Sequence, residues 1–198
     1  NALVRRSANP GRGGHDLSIK TAEGVYDTRL KVAEFFSAPE PDNVVFTGNC
    51  TQSINVAMKG LFTNGGKIII SSLEHNAVSR TAENLKKYGV ETAVAQVSLN
   101  KQQTLKNFES LIDENTKGIV CTHASNVFGI ILPIKEIGEL CKKHGLSFVV
   151  DAAQSAGVIP INYNDWNIDC LCIAPHKGLY APMGTGLLIT DNQPTTLI

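Results

Sequence analysis

An apolar run from Cys170 to Ala174 stops at Pro175, and His176 and Lys177 follow side by side. An earlier run, LSFVVD at 146–151, ends in an acid, Asp151. Positions 151 and 177 leave room for one connection and one strand between them. An amine and a carboxylate at neighbouring strand ends suit pyridoxal phosphate: the lysine forms an imine with the aldehyde, and the carboxylate keeps the ring nitrogen protonated. That proton makes the ring an electron sink, and Coulomb attraction to the carboxylate favours it. The attacking lysine must first lose its own proton, so burial beside other cationic groups is expected. The phosphate needs a separate cradle. Gly48-Asn49-Cys50-Thr51-Gln52 lies between a strand and an amphipathic helix, where backbone N–H groups and the Thr51 hydroxyl can bind an anion. Gly48 lets the backbone come close.

These groups need a scaffold, and the hydrophobic pattern supplies one. Ala22, Val25, Tyr26, Leu30, Ala33 and Phe36 fall on one helical face. So do Thr51, Ile54, Ala57, Met58 and Leu61, then Val78, Ala82 and Leu85, then Leu105, Phe108, Leu111 and Ile112. Ile134, Ile137, Leu140 and Cys141 mark a further helix, opened by Pro133 and closed by Gly145. Strands are expected at 43–47, 67–71, 91–97, 118–123, 146–151, 169–173 and 186–190. Strands apolar on both faces and joined by helices imply an α/β fold, a mostly parallel sheet with helices on both faces. Right-handed crossovers bring the strand C-termini to one edge, where such sheets bind ligands. Thr47–Thr51, Ser71–His75, Thr122–Asn126, Asp151–Gln154 and His176-Lys177 all stand there.

Composition narrows the classes. Apolar residues make up 42% and charged residues 18% of 198, enough for a full core. Lys+Arg and Asp+Glu are both 18, which gives no support for a nucleic-acid partner. No apolar run approaches a membrane span. Five cysteines, an odd number without CxxC spacing, read as reduced thiols of a cytoplasmic protein, and no His/Cys spacing suggests a metal. The two ends, NALVRRSANPGRGGHD and ITDNQPTTLI, read as cuts through a longer protein.

Five segments, in order, resemble one family: FTGNCTQSIN (46–55), SSLEHNAVSR (71–80), THASNVFGIILPI (122–134), VVDAAQSAG (149–157) and APHKGLYAPMGTG (174–186). They are similar to the class V aminotransferases, pyridoxal 5'-phosphate enzymes, and above all to the cysteine desulfurase branch. The resemblance implies the large domain of a fold-type I PLP-dependent transferase, with residues 1–198 forming that one cofactor domain. It implies that Lys177 carries the cofactor and that Asp151 is the partner of its ring nitrogen. Gln154 matches the residue bonded to the ring's phenolic oxygen, and Asn126 a second polar contact near it. His75 matches the histidine stacked on the ring, with a part in proton transfer. Thr51 and His176 match phosphate contacts, with Cys50 beside them.

The implied reaction removes sulfur from L-cysteine, giving alanine and an enzyme persulfide. A homodimer and a sulfur-acceptor protein are the implied partners. The branch's nucleophilic cysteine and carboxylate-binding arginine lie downstream of the matched segments, and none of the five cysteines here matches the nucleophile. The chain by itself is therefore expected to bind the cofactor weakly and to lack turnover. It also departs from the pattern at three places. Ala174 stands for a Ser or Thr, Pro175 for a glycine, and Asn49-Cys50 for Gly-Ala or Gly-Thr.

Taken singly, these residues have plainer readings. A lysine after a strand is usually solvated, and an aspartate there often caps a helix. Only their joint pattern reverses that weighting. Cys50 near an anion site could have a depressed pKa, although packing is the favoured role. Cys170 and Cys172 share one strand face and are expected to be buried. His144 is expected at a solvated helix end, His123 at a strand end with its hydrogen bonds satisfied, and His15 in a loop at the pocket mouth. The glycine-rich stretch at 10–15 lines an entrance or makes a turn. The rival functions are a selenocysteine lyase, a class V aminotransferase acting on a small amino acid, and a non-catalytic PLP-binding module. A nucleotide-binding domain lacks the G-x-G-x-x-G run after its first strand.

Overall fold

The computed structural model describes residues 8–11 and 14–191. The sequence reading of the two ends therefore falls mostly outside the described residues, as do positions 12 and 13 of the glycine-rich stretch. Seven strands form one sheet: β1 (Val44–Thr47), β2 (Gly66–Ser71), β3 (Val90–Ala95), β4 (Thr116–Thr122), β5 (Ser147–Asp151), β6 (Cys170–Ile173) and β7 (Gly186–Thr190). Their spatial order is β1-β7-β6-β5-β4-β2-β3. Strands β2 to β6 pair in parallel. β7 is antiparallel to both β6 and β1, so β1 again runs with the parallel set. The reversal of β7 has a simple cause. The chain between Ile173 and Gly186 contains no helix to carry it back to the other sheet edge, so it returns directly.

Five helices cover the sheet: α1 (Asp16–Phe36), α2 (Cys50–Phe62), α3 (Asn76–Leu85), α4 (Lys101–Glu109) and α5 (Ile134–His144). Alternation along the strands divides the core in two. Ile69, Ile119, Cys121, Phe148, Val150, Leu171 and Ile173 join Phe108, Ile137 and Leu140 on one face. Ile68, Ile70, Val120, Val149, Cys170 and Cys172 join Ile54, Met58, Val78 and Leu85 on the other. Both faces are thus apolar, as the continuous hydrophobic runs require. Helix ends follow local chemistry. Gly145 takes φ 64° as the left-handed cap of α5. Gly89, at φ 75°, closes the short 3₁₀ turn that extends α3.

The expected boundaries hold to within a few residues, with one substantive exception. Of the α1 face read from the sequence, only Ala33 and Phe36 are buried, while Tyr26 and Leu30 are exposed. The apolar stripe meets the sheet only over its last turns. Pro133 is the N-cap of α5 and not its first residue. No helix among the described residues is long and apolar enough to cross a membrane.

Candidate active site

Each strand end is shaped by its own local rule. After β1, Asn49 caps α2: its Oδ1 accepts from the Gln52 N–H at 2.8 Å, while the Gln52 Oε1 accepts from the Gly48 N–H at 2.7 Å. This reciprocal cap uses the third amide of the turn. Among the described residues no hydrogen bond engages the N–H groups of Cys50 and Thr51, which stand in the first turn of α2 at the positive end of the helix dipole. The Asn-x-x-Gln spacing carried this signal in the sequence, although Asn49 was not singled out there.

After β2, His75 caps α3, with its Nδ1 accepting from the Ala77 N–H at 3.1 Å. After β5, Asp151 is 4% exposed, and its Oδ1 accepts from the Ala153 N–H at 2.9 Å and from the Cys50 thiol at 3.6 Å. After β6, a turn carries His176 and Lys177. Gly178 packs against the turn that follows Gln154: a Cβ on Gly178 would lie 2.3 Å from the Ala156 carbonyl oxygen, and one on Gly157 2.5 Å from that of Gly178. Backbone contact at this density fixes the Gln154 and Lys177 turns relative to each other.

The eight residues singled out in the sequence (Cys50, Thr51, His75, Asn126, Asp151, Gln154, His176 and Lys177) line one cavity of about 150 Å³. Asn49, Ile54, Ala77, Thr122, Ala124, Ala153 and Ala174 complete its wall. Burial pushes the Asp151 carboxyl above the ordinary carboxylate range. The Ala153 N–H, the Cys50 thiol, and the charges of His75 and Lys177 all oppose that rise. The His176 Nδ1 is buried with no hydrogen-bond partner.

Three expectations are corrected. Lys177 is exposed, not buried, because it stands on a turn at the sheet edge. The Cys50 thiol is pushed up, not down: desolvation and the neighbouring Asp151 carboxylate outweigh the charge of Lys177. Cys50 is therefore a neutral donor to Asp151. His123 lies outside the cavity, edge-on to Trp166 at 5.5 Å, with its Nδ1 unpartnered and not satisfied. His15 caps α1, its Nδ1 accepting from the Ser18 N–H at 3.3 Å. His144 sits in the last turn of α5, exposed as expected, and Cys170 and Cys172 are buried.

His123 carries a testable pH dependence. Burial pushes its imidazole down to about 4, so the folded chain keeps it neutral while the unfolded chain protonates it near 6.5. Its contribution to stability is present above pH 6.5 and is lost as pH falls toward 4. His123→Phe keeps a ring against Trp166 but cannot titrate. Urea unfolding between pH 7 and 4 is expected to show a shallower loss of stability for the variant than for the parent chain.

The chemistry of the donors fits pyridoxal phosphate. The cavity offers an amine for an aldehyde, a buried carboxylate for a ring nitrogen, and free amides with a hydroxyl at a helix start for a phosphate. The unpartnered His176 Nδ1 adds a further polar group. A metal set is absent among the described residues.

Comparison with known proteins agrees with this chemistry. The model of one family, described as Aminotransferase class-V, matches residues 2–196. The cysteine desulfurase IscS of Shewanella sediminis is 36% identical over 190 residues, which cover 94% of this chain and 46% of that protein. The apo structure of a cysteine desulfurase from Thermococcus onnurineus NA1 superposes with a TM-score of 0.87 at 32% identity, covering 95% of this chain and 48% of the other. The structure of SspA in complex with cysteine gives 0.86 at 30% identity, covering 96% and 56%. The chain thus spans about half the length of the relatives it matches.

Proposed function

Because the chain belongs to the class-V aminotransferase family, a family of pyridoxal-phosphate enzymes, we propose that it forms the cofactor-binding domain of a cysteine desulfurase. One observation carries the reading: an amine, a buried acid, a histidine and a helix start with free amides converge on a single cavity at the C-terminal edge of the sheet. The similarity to named cysteine desulfurases supports the branch, and the cysteine bound by SspA supports L-cysteine as substrate.

Bound there, pyridoxal phosphate supplies an electron sink for negative charge developing at the substrate's α-carbon. The chain's residues do the rest. Asp151 holds the proton on the ring nitrogen, and its Oδ1 is already fixed by Ala153 and Cys50. Thr51 and the amides of Cys50 and Thr51 hold the phosphate without help from position 174, where an alanine offers no hydroxyl. Gln154 and Asn126, on the cavity wall, would hold the phenolic edge of the ring. His75, on the same wall, would cover its face and carry a proton. Lys177, on an exposed turn, can swing between holding the cofactor and moving a proton at the α-carbon. The cysteine that takes the sulfur is a residue other than the five described, all of which are buried. The same reading proposes a homodimer, a sulfur-acceptor protein and a reducing compartment.

The test is the full-length protein loaded with pyridoxal phosphate and given L-cysteine. Alanine is expected, with equimolar sulfur recovered as persulfide or, after thiol addition, as sulfide. Alanine from selenocysteine alone would transfer the assignment to a selenocysteine lyase. No product from either amino acid would overturn it.

A further inference from the structure

We propose, resting on the function above, that Glu74 is a positioning residue that sets His75 against the cavity by tying its loop to two strand ends. Strand β2 pairs with β4 through Ile70 and Val120 and then leaves the sheet after Ser71. The next inward N–H of β4, that of Thr122, would lose its acceptor there. The Glu74 side chain returns to replace the missing carbonyl: its Oε1 accepts from the Thr122 N–H at 2.8 Å and also from the Ser71 hydroxyl. The Ser71 Oγ in turn accepts from the Leu73 N–H at 3.2 Å. One carboxyl oxygen thus joins the end of β2, the turn after it and the end of β4. The next residue in the chain is His75, which caps α3 through Nδ1 and lines the cavity. A loop of this kind, with a strand end on one side and a helix start on the other, has little freedom left.

The other oxygen, Oε2, is buried and unpartnered. Thr122 lies beside Asp151 in the β4–β5 register, so a second negative charge here would stand close to the first. Desolvation pushes the Glu74 carboxyl up to about 8, against the pull of the Ser71 and Thr122 hydrogen bonds, with Asp151 adding to the rise. The buried Cys121 thiol is also within electrostatic reach. A proton on Oε2 leaves Oε1 as acceptor and keeps the pair from carrying two charges. The device therefore needs an acceptor oxygen and not an anion. Glutamine supplies that oxygen and alanine does not.

The test uses amide hydrogen exchange in the full-length protein without cofactor, so its outcome does not depend on the proposed activity. The Ala77 amide, bonded to the His75 Nδ1, reports how firmly His75 is held. In Glu74→Ala its protection is expected to fall by about tenfold or more, while amides in α5 keep theirs. Glu74→Gln should retain protection within about threefold of the parent. A second arm adds pyridoxal phosphate and reads the absorbance maximum of the bound cofactor. Glu74→Ala and His75→Ala should shift it alike, and the double variant should match His75→Ala alone, the signature of one residue acting through another. Unchanged Ala77 protection in Glu74→Ala, equal loss in Glu74→Gln, or additive spectral shifts would each overturn the proposal. If Glu74→Ala loses protection throughout the core, the Glu74→Gln variant decides alone. Failure of the parent to bind the cofactor would strike the functional reading and leave the exchange result standing.

Discussion

In the full-length protein, replacing Lys177 by alanine should abolish the proposed desulfurase turnover, with a loss of about 10³-fold or more, because it removes the group proposed both as covalent anchor and as proton carrier. Free amine added to the assay is expected to restore a fraction of the activity, since the cavity remains and only the group is missing. Lys177→Arg separates the two roles. Arginine keeps the positive charge beside Asp151 but stays protonated at any accessible pH, so it cannot attack the aldehyde. The arginine variant should therefore hold the cofactor reversibly and show no covalent link and no turnover. Stability should hardly change in either variant. Lys177 is exposed, no ion pair among the described residues engages it, and the turn it stands on is held by backbone bonds from the Lys177 N–H to the Ala174 carbonyl and from the Ala181 N–H to the Pro175 carbonyl. Turnover is checked by alanine formation and stability by urea unfolding. Activity within tenfold of the parent would remove Lys177 from the mechanism.

Asp151→Asn comes next in expected effect. The amide keeps the size and the Oδ1 acceptor for the Ala153 N–H and the Cys50 thiol, but it has no charge with which to hold a proton on a ring nitrogen. Loss of a preorganised charge at a reacting centre is worth about 10²–10³-fold in rate, and that loss is expected here. Stability should move the other way. Burial raises the folded carboxyl above its unfolded range, so the folded state takes up a proton that the unfolded state releases. The sign follows: stability is full below the unfolded carboxyl range and falls as pH rises through the folded value. Asparagine never ionises, so the variant should be at least as stable as the parent at pH 7 and flatter across pH. A residue that weakens the fold while serving the reaction gives this split. A structural aspartate would lose both together.

The sequence made the scaffold legible where one rule governs. Ile68-Ile69-Ile70 and Phe148-Val149-Val150 send alternate side chains into two cores, and that pattern fixes a sheet covered on both faces. Strand ends then gather polar residues in one place, so the sequence alone links Asp151 and Lys177. Features that depend on two distant segments were not legible. The reversal of β7 depends on a connection without a helix. The exposure of the α1 stripe depends on how far the sheet extends beneath it. Glu74 reads in one dimension as another acid beside a histidine. Its task appears only when β4 places the Thr122 N–H opposite the point where β2 departs. The direction of the Cys50 shift turned on burial beside Asp151, a residue 101 positions away.

The most direct test reduces the protein with borohydride in the presence of pyridoxal phosphate and maps the modified peptide by mass. The account predicts one pyridoxyl group per chain, on Lys177, with the label lost in Lys177→Ala and weakened in Asp151→Asn. Label on any other lysine, or label that persists in Lys177→Ala, would contradict it.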